Sequence, residues 1–321
     1  MAKKSVQEQG GIEAVFNALQ SKYKDGLYMG SSISRKGVTS TGSIKLDLAL
    51  NGGFVKGKII ECYGPESSGK SALAYALLSG IKGPKGFIDA ESAYESETAS
   101  MYGVDLSTMI VDRPEHIEQG MELVLDMVDA GMEAIVFDSI AGISTKAELE
   151  GSMEDHNVGK KASRMGQLMR KLHLKADEKG CTIFFVNQIR DSMSMYGSPV
   201  TTPGGHALQF HASYRLWVKG IDKIEIGTAK EAVGHEMKVN IKKNKFGRPG
   251  IDVKIPLIYG KGISPEWEIL DIAVEKEIIE KSGSWYSYEG SKIGQGQYNT
   301  FTFLLDNPEF VDQIKLKIHE S

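Results

Sequence analysis

Two cysteines, nine prolines and three tryptophans are all that 321 residues contain of these types. Cys62 and Cys181 each sit in an apolar, strand-like run, and there is no C-x-x-C pair or Cys/His cluster. This excludes a disulfide framework and a zinc centre of the usual spacing. Two buried, reduced thiols are expected, as in a reducing compartment. No apolar run approaches the ~18 residues of a membrane span. The opening Met-Ala-Lys-Lys-Ser lacks the apolar segment of a secretory leader. A cytoplasmic location with no membrane partner is therefore expected. Charge of one sign is also missing: 38 Lys and Arg oppose 42 Asp and Glu, for a net charge of −4. That excludes a uniformly basic nucleic-acid coat but leaves room for a local basic groove. No internal repeat or low-complexity tract is present.

What is there is a full G-x-x-x-x-G-K-[ST] loop: Gly64, Pro65, Glu66, Ser67, Ser68, Gly69, Lys70 and Ser71. Lys58–Tyr63 leads in as an apolar strand, and Ser71–Leu78 leads out as a helix. That context gives the motif its meaning. The glycines let backbone N–H groups face a phosphate at a helix N-terminus. Lys70 would reach the β- and γ-phosphates, and the Ser71 hydroxyl would bind Mg²⁺.

The chain before this loop opens with an amphipathic helix within residues 5–28, carried by Ile12, Val15, Phe16 and Leu19. Its apolar face must pack on the body or on another subunit. Ser40–Leu50 reads as a turn and a short helix, broken by Asn51-Gly-Gly. After the loop, Gly86–Glu91 is a second short strand ending in two carboxylates, Asp89 and Glu91. These are placed either for chemistry at a strand end or as a cap for the next helix. Ile117–Ala130 has helical spacing. Ala134–Ser139 is an apolar strand ending in Asp138, the pattern of a carboxylate that holds the Mg²⁺ of a bound nucleotide. Cys181–Gln188 is another buried strand. Gln188 at its tip would sense a γ-phosphate or orient water, or would simply end the strand. The alternation predicts an α/β fold with a largely parallel sheet and helices on both faces. Tyr214–Val218, Met237–Lys242 and Ile251–Pro256 should extend it as antiparallel strands.

Lys160–Lys175 holds six basic residues and no acidic one. At about 100° per residue, Lys160, Arg164, Lys171 and Lys175 share one face. An all-basic stripe suggests a polyanion nearby, against the alternative of an ordinary solvated face. Two Gly-rich loops flank it, at about 150–159 and 189–205; the second is long enough to be functional. Met193, Met195 and Tyr196 would press on bases there. A further cluster, Lys238, Lys242, Lys243, Lys245 and Arg248, would serve DNA or a neighbour's nucleotide. From Lys261 to Ser321 the balance reverses to six Lys and eleven Asp or Glu, which suggests a small separate domain. The expected segments are 1–30, the first helix and a linker; 31–260, the core that carries the phosphate loop; and 261–321, a small α+β domain.

With these elements in hand, the sequence resembles the RecA family of DNA recombinases, of bacterial type, over essentially its whole length. The similar stretches are Ser40-Thr-Gly-Ser43, Tyr63–Ser71, Phe87–Glu91, Lys146–Gly151, Met169–Leu172, Asn187–Arg190, Pro203–Gly205, Lys243-Asn-Lys245, Glu280–Tyr288 and Lys292–Gly296. The resemblance implies an ATP- and Mg²⁺-dependent helical filament on single-stranded DNA, which pairs with homologous duplex and exchanges strands. ATP would lie between subunits. Glu91 would be the base that activates water, Lys70, Ser71 and Asp138 would hold phosphates and Mg²⁺, and Gln188 would couple the γ-phosphate to the second DNA loop. Lys243 and Lys245 would reach the neighbour's ATP. Glu95 and Thr98 fall at the adenine. DNA contacts fall at Val158, Ser163, Arg164, Gly166, Arg170, Arg190, Tyr196, Gly204, Gly205 and His206. The first helix would dock on the next subunit, and the last domain would capture duplex. Single-strand-binding and loader proteins are expected partners.

The sequence also departs from the family. Thr98 stands where a tyrosine usually stacks on adenine, Glu95 where an aspartate contacts the base, and Ser163 where a loop arginine is common. Gln209 replaces an interface lysine, and the second loop is one residue short. No long acidic tail follows Ser321, from which readier duplex invasion is expected. Such departures would suit a phage-encoded member. The alternatives from other classes are a DNA-coating scaffold without useful turnover and a ring-shaped motor.

Overall fold

The structure is a computed structural model that describes residues 11–23, 27–32, 34, 36–150, 158–191, 200–204, 206–226 and 231–320. Residues up to Gly37 and residues 38–321 are two units. The first carries α1 (Ile12–Tyr23), with Glu13 in its first turn and Lys22 in its last, each matching the helix dipole. Its stripe of Ile12, Val15, Leu19 and Tyr23 is exposed.

The second unit begins with β1 (Val38–Thr39) paired to β2 (Phe54–Val55) around α2 (Ile44–Ala49). Then follow β3 (Ile59–Gly64), α3 (Lys70–Ser79), β4 (Lys85–Asp89), α4 (Ser96–Met101), β5 (Met109–Asp112), α5 (Ile117–Asp129), β6 (Ala134–Asp138), α6 (Lys146–Glu150), α7 (Val158–Lys179) and β7 (Thr182–Gln188). A ribbon of β8 (Arg190–Asp191) and β9 (Val200–Thr201) leads to α8 (His206–His211). Next come β10 (Tyr214–Ile226), β11 (Glu231–Asn244), β12 (Asp252–Ile258) and β13 (Gly262–Ile263). The chain ends with α9 (Pro265–Glu275), β14 (Glu280–Ser282), β15 (Trp285–Tyr288), β16 (Ser291–Gln295), α10 (Gln297–Asp306) and α11 (Pro308–Glu320).

One nine-stranded sheet has the order β13-β12-β11-β10-β3-β7-β6-β4-β5. Its central strands are apolar on both faces, as a parallel sheet between helix layers requires. Ile60, Cys62, Val136, Phe184 and Val186 face Leu73 and Leu77 of α3. Their neighbours Ile59, Ile135, Phe137, Ile183 and Phe185 face Met121 and Val124 of α5, and Leu168 and Leu172 of α7. Each buried Phe contributes roughly 1.5–3 kcal/mol. Both cysteines are free and buried, and burial pushes the Cys181 thiol up to about 12.

The expectation for Tyr214–Val218 needs a correction. This strand runs parallel to β3, with Tyr214 opposite Ile60, and only its partner β11 is antiparallel. The long second loop and α8 supply the crossover that a parallel pair needs. Sequence reading also missed α4, β5, α6, α8 and α10, which are short or lack clear periodicity, and it placed α9 a turn too late.

The C-terminal elements form their own core around Trp267, Leu270, Phe301 and Leu304. They meet α2 through adjacent polar bonds. Glu268, fully buried, accepts Ser43 Oγ and the Ile44 N–H, each at 2.6 Å. Lys45 pairs with Asp271 at 2.6 Å. Burial pushes the Glu268 carboxyl up to about 7, against the pull of the Ser43 and Ile44 bonds. A carboxyl raised on folding binds more protons in the folded chain than in the unfolded one. Its contribution to stability therefore falls as pH rises from about 4.5 to about 7 and is level above that. Melting temperatures of Glu268→Gln across pH 5 to 8 should show a flatter slope than those of wild type. An unchanged slope would remove Glu268 as its source.

Candidate nucleotide site and nucleic-acid surface

The C-terminal ends of β3, β4, β6 and β7 converge, with Gly64 opposite Gln188 and Asp89 opposite Asp138. From Gly64 the chain turns tightly into α3. A Cβ on Gly64 would lie 1.9 Å from Val218 O. Gly69 has φ +93°, and a Cβ there would lie 1.9 Å from Met237 Sδ. Only glycine fits either place. Gly69 is the N-cap, and no side chain caps α3. Its first N–H groups thus lie at the loop with no intrahelical partner, which makes an anion cradle. Lys70 Nζ donates to Pro65 O at 2.5 Å, which holds the ammonium over the loop. Ser68 Oγ donates to the same carbonyl at 2.8 Å. Ser71 Oγ donates to Asp138 Oδ2 at 2.7 Å.

Three carboxylates divide the work. Burial pushes the Asp138 carboxyl up to about 6; the Ser71 bond and Lys70 pull it down, while Glu91 and Asp89 push it up. Asp89 accepts the N–H groups of Ala93 at 2.9 Å and Tyr94 at 3.1 Å, and Arg113 Nε at 2.8 Å. Asp89 thus holds the loop before α4 and does not cap that helix, whose N-cap is Glu95. Glu91 is free for another use, just beyond the end of β4. It accepts from Ser139 Oγ and, at 3.0 Å, from Gln188 Nε2. Gly142 leaves space for it, since a Cβ there would lie 2.8 Å from Glu91 Cγ. Ser139 was not given a role from sequence, because a serine after a strand carries no signal of its own.

On the other side of β7, buried Asn187 donates to Glu61 Oε1 at 3.2 Å and to Pro203 O at 3.0 Å. Glu61, in the middle of β3, also accepts Arg215 Nε at 2.6 Å, and that guanidinium lies 4.5 Å from the Tyr63 ring centroid. Adjacent residues of one strand end thus touch Glu91 and the far end of the second loop. Gln209 Nε2 donates to Thr202 Oγ1 at 3.0 Å, so this departure from the family tightens the same loop end.

Lys243 and Lys245 do not join the phosphate loop of their own chain. Lys243 lies opposite Arg215, and Arg215 opposite Glu61, three residues before Gly64. That is roughly 10 Å of strand. Lys243 Nζ instead donates to the last carbonyls of α8, Gln209 O at 2.8 Å and Phe210 O at 3.0 Å. Burial pulls its ammonium down, and Lys245 adds to this.

The basic stripe of α7 also needs a correction. Arg164 pairs with Glu122 at 3.2 Å and Lys175 pairs with Asp129, so acidic residues of α5 neutralise part of it. Helical projection of α7 alone does not register a facing helix. Arg170, Arg190 and His206 are exposed, and Gly166 is half-buried. Gly204 is buried with φ +91°. Val158 opens α7 and Ser163 lies within it. The first-loop residues 151–157, second-loop residues 192–199 with Tyr196, and Gly205 lie outside the described residues. Thr98 Oγ1 donates to Glu95 Oε2 at 3.1 Å. Among the described residues, no helix is long and apolar enough to cross a membrane.

A parallel sheet that gathers a phosphate loop, a buried aspartate on the loop serine and a glutamate held between Ser139 and Gln188 defines a P-loop ATPase. The family model of the RecA N-terminal domain matches residues 12–264, and that of the RecA C-terminal domain matches residues 267–321. Protein RecA of Staphylococcus aureus strain JH9 is 40% identical over 321 residues, covering 97% of this chain and 92% of that protein. The same figures hold for strains Newman and N315. The crystal structure of the RadB recombinase is similar in fold, with a TM-score of 0.54, 21% identity, and 70% of this chain and 98% of that one covered. The chain belongs to the RecA family: it is a recombinase of homologous recombination and repair, and a DNA-dependent ATPase.

Proposed function

We propose that this chain forms a helical filament on single-stranded DNA, with ATP and Mg²⁺ between adjacent subunits, and exchanges that strand with homologous duplex. The observation that carries this reading is the pair Asn187 and Gln188. Gln188 bonds the candidate base Glu91, while Asn187 bonds Pro203 at the end of the second loop. A change at the nucleotide thus has a short route to DNA.

In this reading Glu91 takes the proton of the attacking water, held in place by Ser139 and Gln188. The α3 N-terminus and Lys70 offset phosphate charge. The oxygens of Ser71 and Asp138 suit Mg²⁺, a hard cation usually held by one or two protein oxygens plus phosphates. The bound ion would neutralise charge on the β- and γ-phosphate oxygens. Lys243 and Lys245 serve the neighbouring subunit's ATP, which is supported by their separation from their own loop. Glu95 and Thr98 border the base. Arg164, Arg170, Arg190 and His206, with Val158, Ser163, Gly166, Tyr196, Gly204 and Gly205, line the DNA path.

Residues 1–30 dock on the next subunit, a role supported by the exposed stripe of α1. Residues 31–260 are the ATPase core, and 261–321 capture duplex. The protein acts in the cytoplasm, with single-strand-binding and loader proteins as partners.

The test is ATP hydrolysis with and without single-stranded DNA. DNA should raise the rate strongly, Lys70→Ala should return it to background, and binding should weaken steeply with salt. A background rate with DNA bound would favour a passive scaffold instead. Electron microscopy that shows rings rather than filaments would also overturn the reading.

A further inference from the structure

A cavity of about 220 Å³ beside the phosphate loop is lined in part by Ser71, Asp138 and Glu91. The same cavity is lined by four rings, those of Tyr75, Phe87, Tyr94 and Tyr102. Tyr75 stacks on Phe87, with centroids 5.5 Å apart and planes 10° apart. Tyr102 leans on Tyr75 at 5.5 Å, and Tyr94 leans on Phe87 at 5.3 Å. Tyr75 and Phe87 are buried and form the floor. Tyr94 and Tyr102 are half-buried, and both line the cavity.

Tyr94 is held with unusual care for a loop residue. Its N–H donates to Asp89 Oδ2 at 3.1 Å, and its carbonyl accepts Arg113 Nη2 at 3.0 Å. The same guanidinium holds Asp89 through Nε at 2.8 Å. One arginine therefore fixes both the loop carboxylate and the backbone of Tyr94. Tyr102 is shut in by β13, where a Cβ on Gly262 would lie 2.7 Å from its ring. Thr98 supplies no ring, and its hydroxyl is engaged with Glu95 at 3.1 Å.

A fixed aromatic face in the same small cavity as Ser71, Asp138 and Glu91 complements a planar heterocycle joined to a polyphosphate. We infer that Tyr94 is the platform on which the nucleotide base stacks in this chain, with Arg113 as the residue that positions it. This rests on the nucleotide-site reading above. A ring face is a sequence-tolerant platform, because every base has a π-face.

The experiment is calorimetric titration of the full chain with ATP and, as a phosphate-only probe, inorganic tripolyphosphate. Tyr94→Ala should weaken ATP about ten-fold or more, as loss of one base–aromatic stack does. Tripolyphosphate should stay within about two-fold of wild type. Tyr94→Phe should bind both like wild type, because the ring remains. Arg113→Ala should lower ATP affinity without touching tripolyphosphate. In Tyr94→Trp, ATP should change the emission of the new indole, and tripolyphosphate should not.

Equal ATP affinity in Tyr94→Ala and wild type overturns the inference. So does an equal loss of both probes, which assigns Tyr94 a purely structural role. Wild-type protein that binds neither probe overturns the nucleotide-site reading itself, a distinct outcome.

Discussion

Glu91→Gln is expected to lower ATP hydrolysis by roughly 10²- to 10⁴-fold, the range lost with a positioned general base. The amide cannot take a proton from water, yet it fits the same space. Its oxygen still accepts from Ser139 Oγ or Gln188 Nε2, so the strand ends keep their arrangement. The contacts of Lys70, Ser71 and Asp138 should remain, because they are made without Glu91, and loss of its charge removes one of the pushes on the Asp138 carboxyl. ATP and DNA binding should therefore persist, and the DNA-bound state should outlive that of wild type. Single-turnover hydrolysis, set beside nucleotide and DNA binding, makes the check. A rate within about ten-fold of wild type would remove Glu91 as the base.

Arg215→Met carries the largest expected effect on stability, a loss of roughly 3–5 kcal/mol from a buried charge left alone. Glu61 is fully buried and accepts Arg215 Nε at 2.6 Å. Its other partner is neutral Asn187 at 3.2 Å. Without the guanidinium, one amide donor would have to hold a carboxylate in the middle of a parallel sheet. Glu61→Gln in the same chain should recover most of the loss, since a neutral amide costs far less to bury. Urea unfolding of the single and double variants makes the comparison. A single variant within about 1 kcal/mol of wild type would show that water or other groups already compensate Glu61. The same variants are expected to blunt the stimulation of hydrolysis by DNA, because Asn187 connects Glu61 to Pro203.

Much of the site was legible because its signals are local. Gly64 and Gly69 are needed where the turn demands them, and the strand–loop–helix context is visible around them. An apolar run that ends in Asp138 marks a buried strand tip. Other roles depend on where distant residues arrive. Asp89 and Glu91 are two positions apart and chemically alike, yet Arg113 and the N–H groups of Ala93 and Tyr94 take one, while Ser139 and Gln188 take the other. Sequence spacing left both uses open for the pair.

By itself, the sequence determined the class of the protein. Loop chemistry, strand and helix periods, and buried thiols follow from rules that act over a few residues, and the family motifs are contiguous. Tertiary structure decided the partners. It set β10 parallel to β3, placed acidic α5 against the basic stripe of α7, and tied Lys243 to α8 away from its own phosphate loop. It also gathered Tyr75, Phe87, Tyr94 and Tyr102 around one cavity. The physical reason is the same in each case. Pairing across a sheet and packing between helices join residues far apart in the chain, and those contacts depend on register and crossing geometry that local preference does not encode.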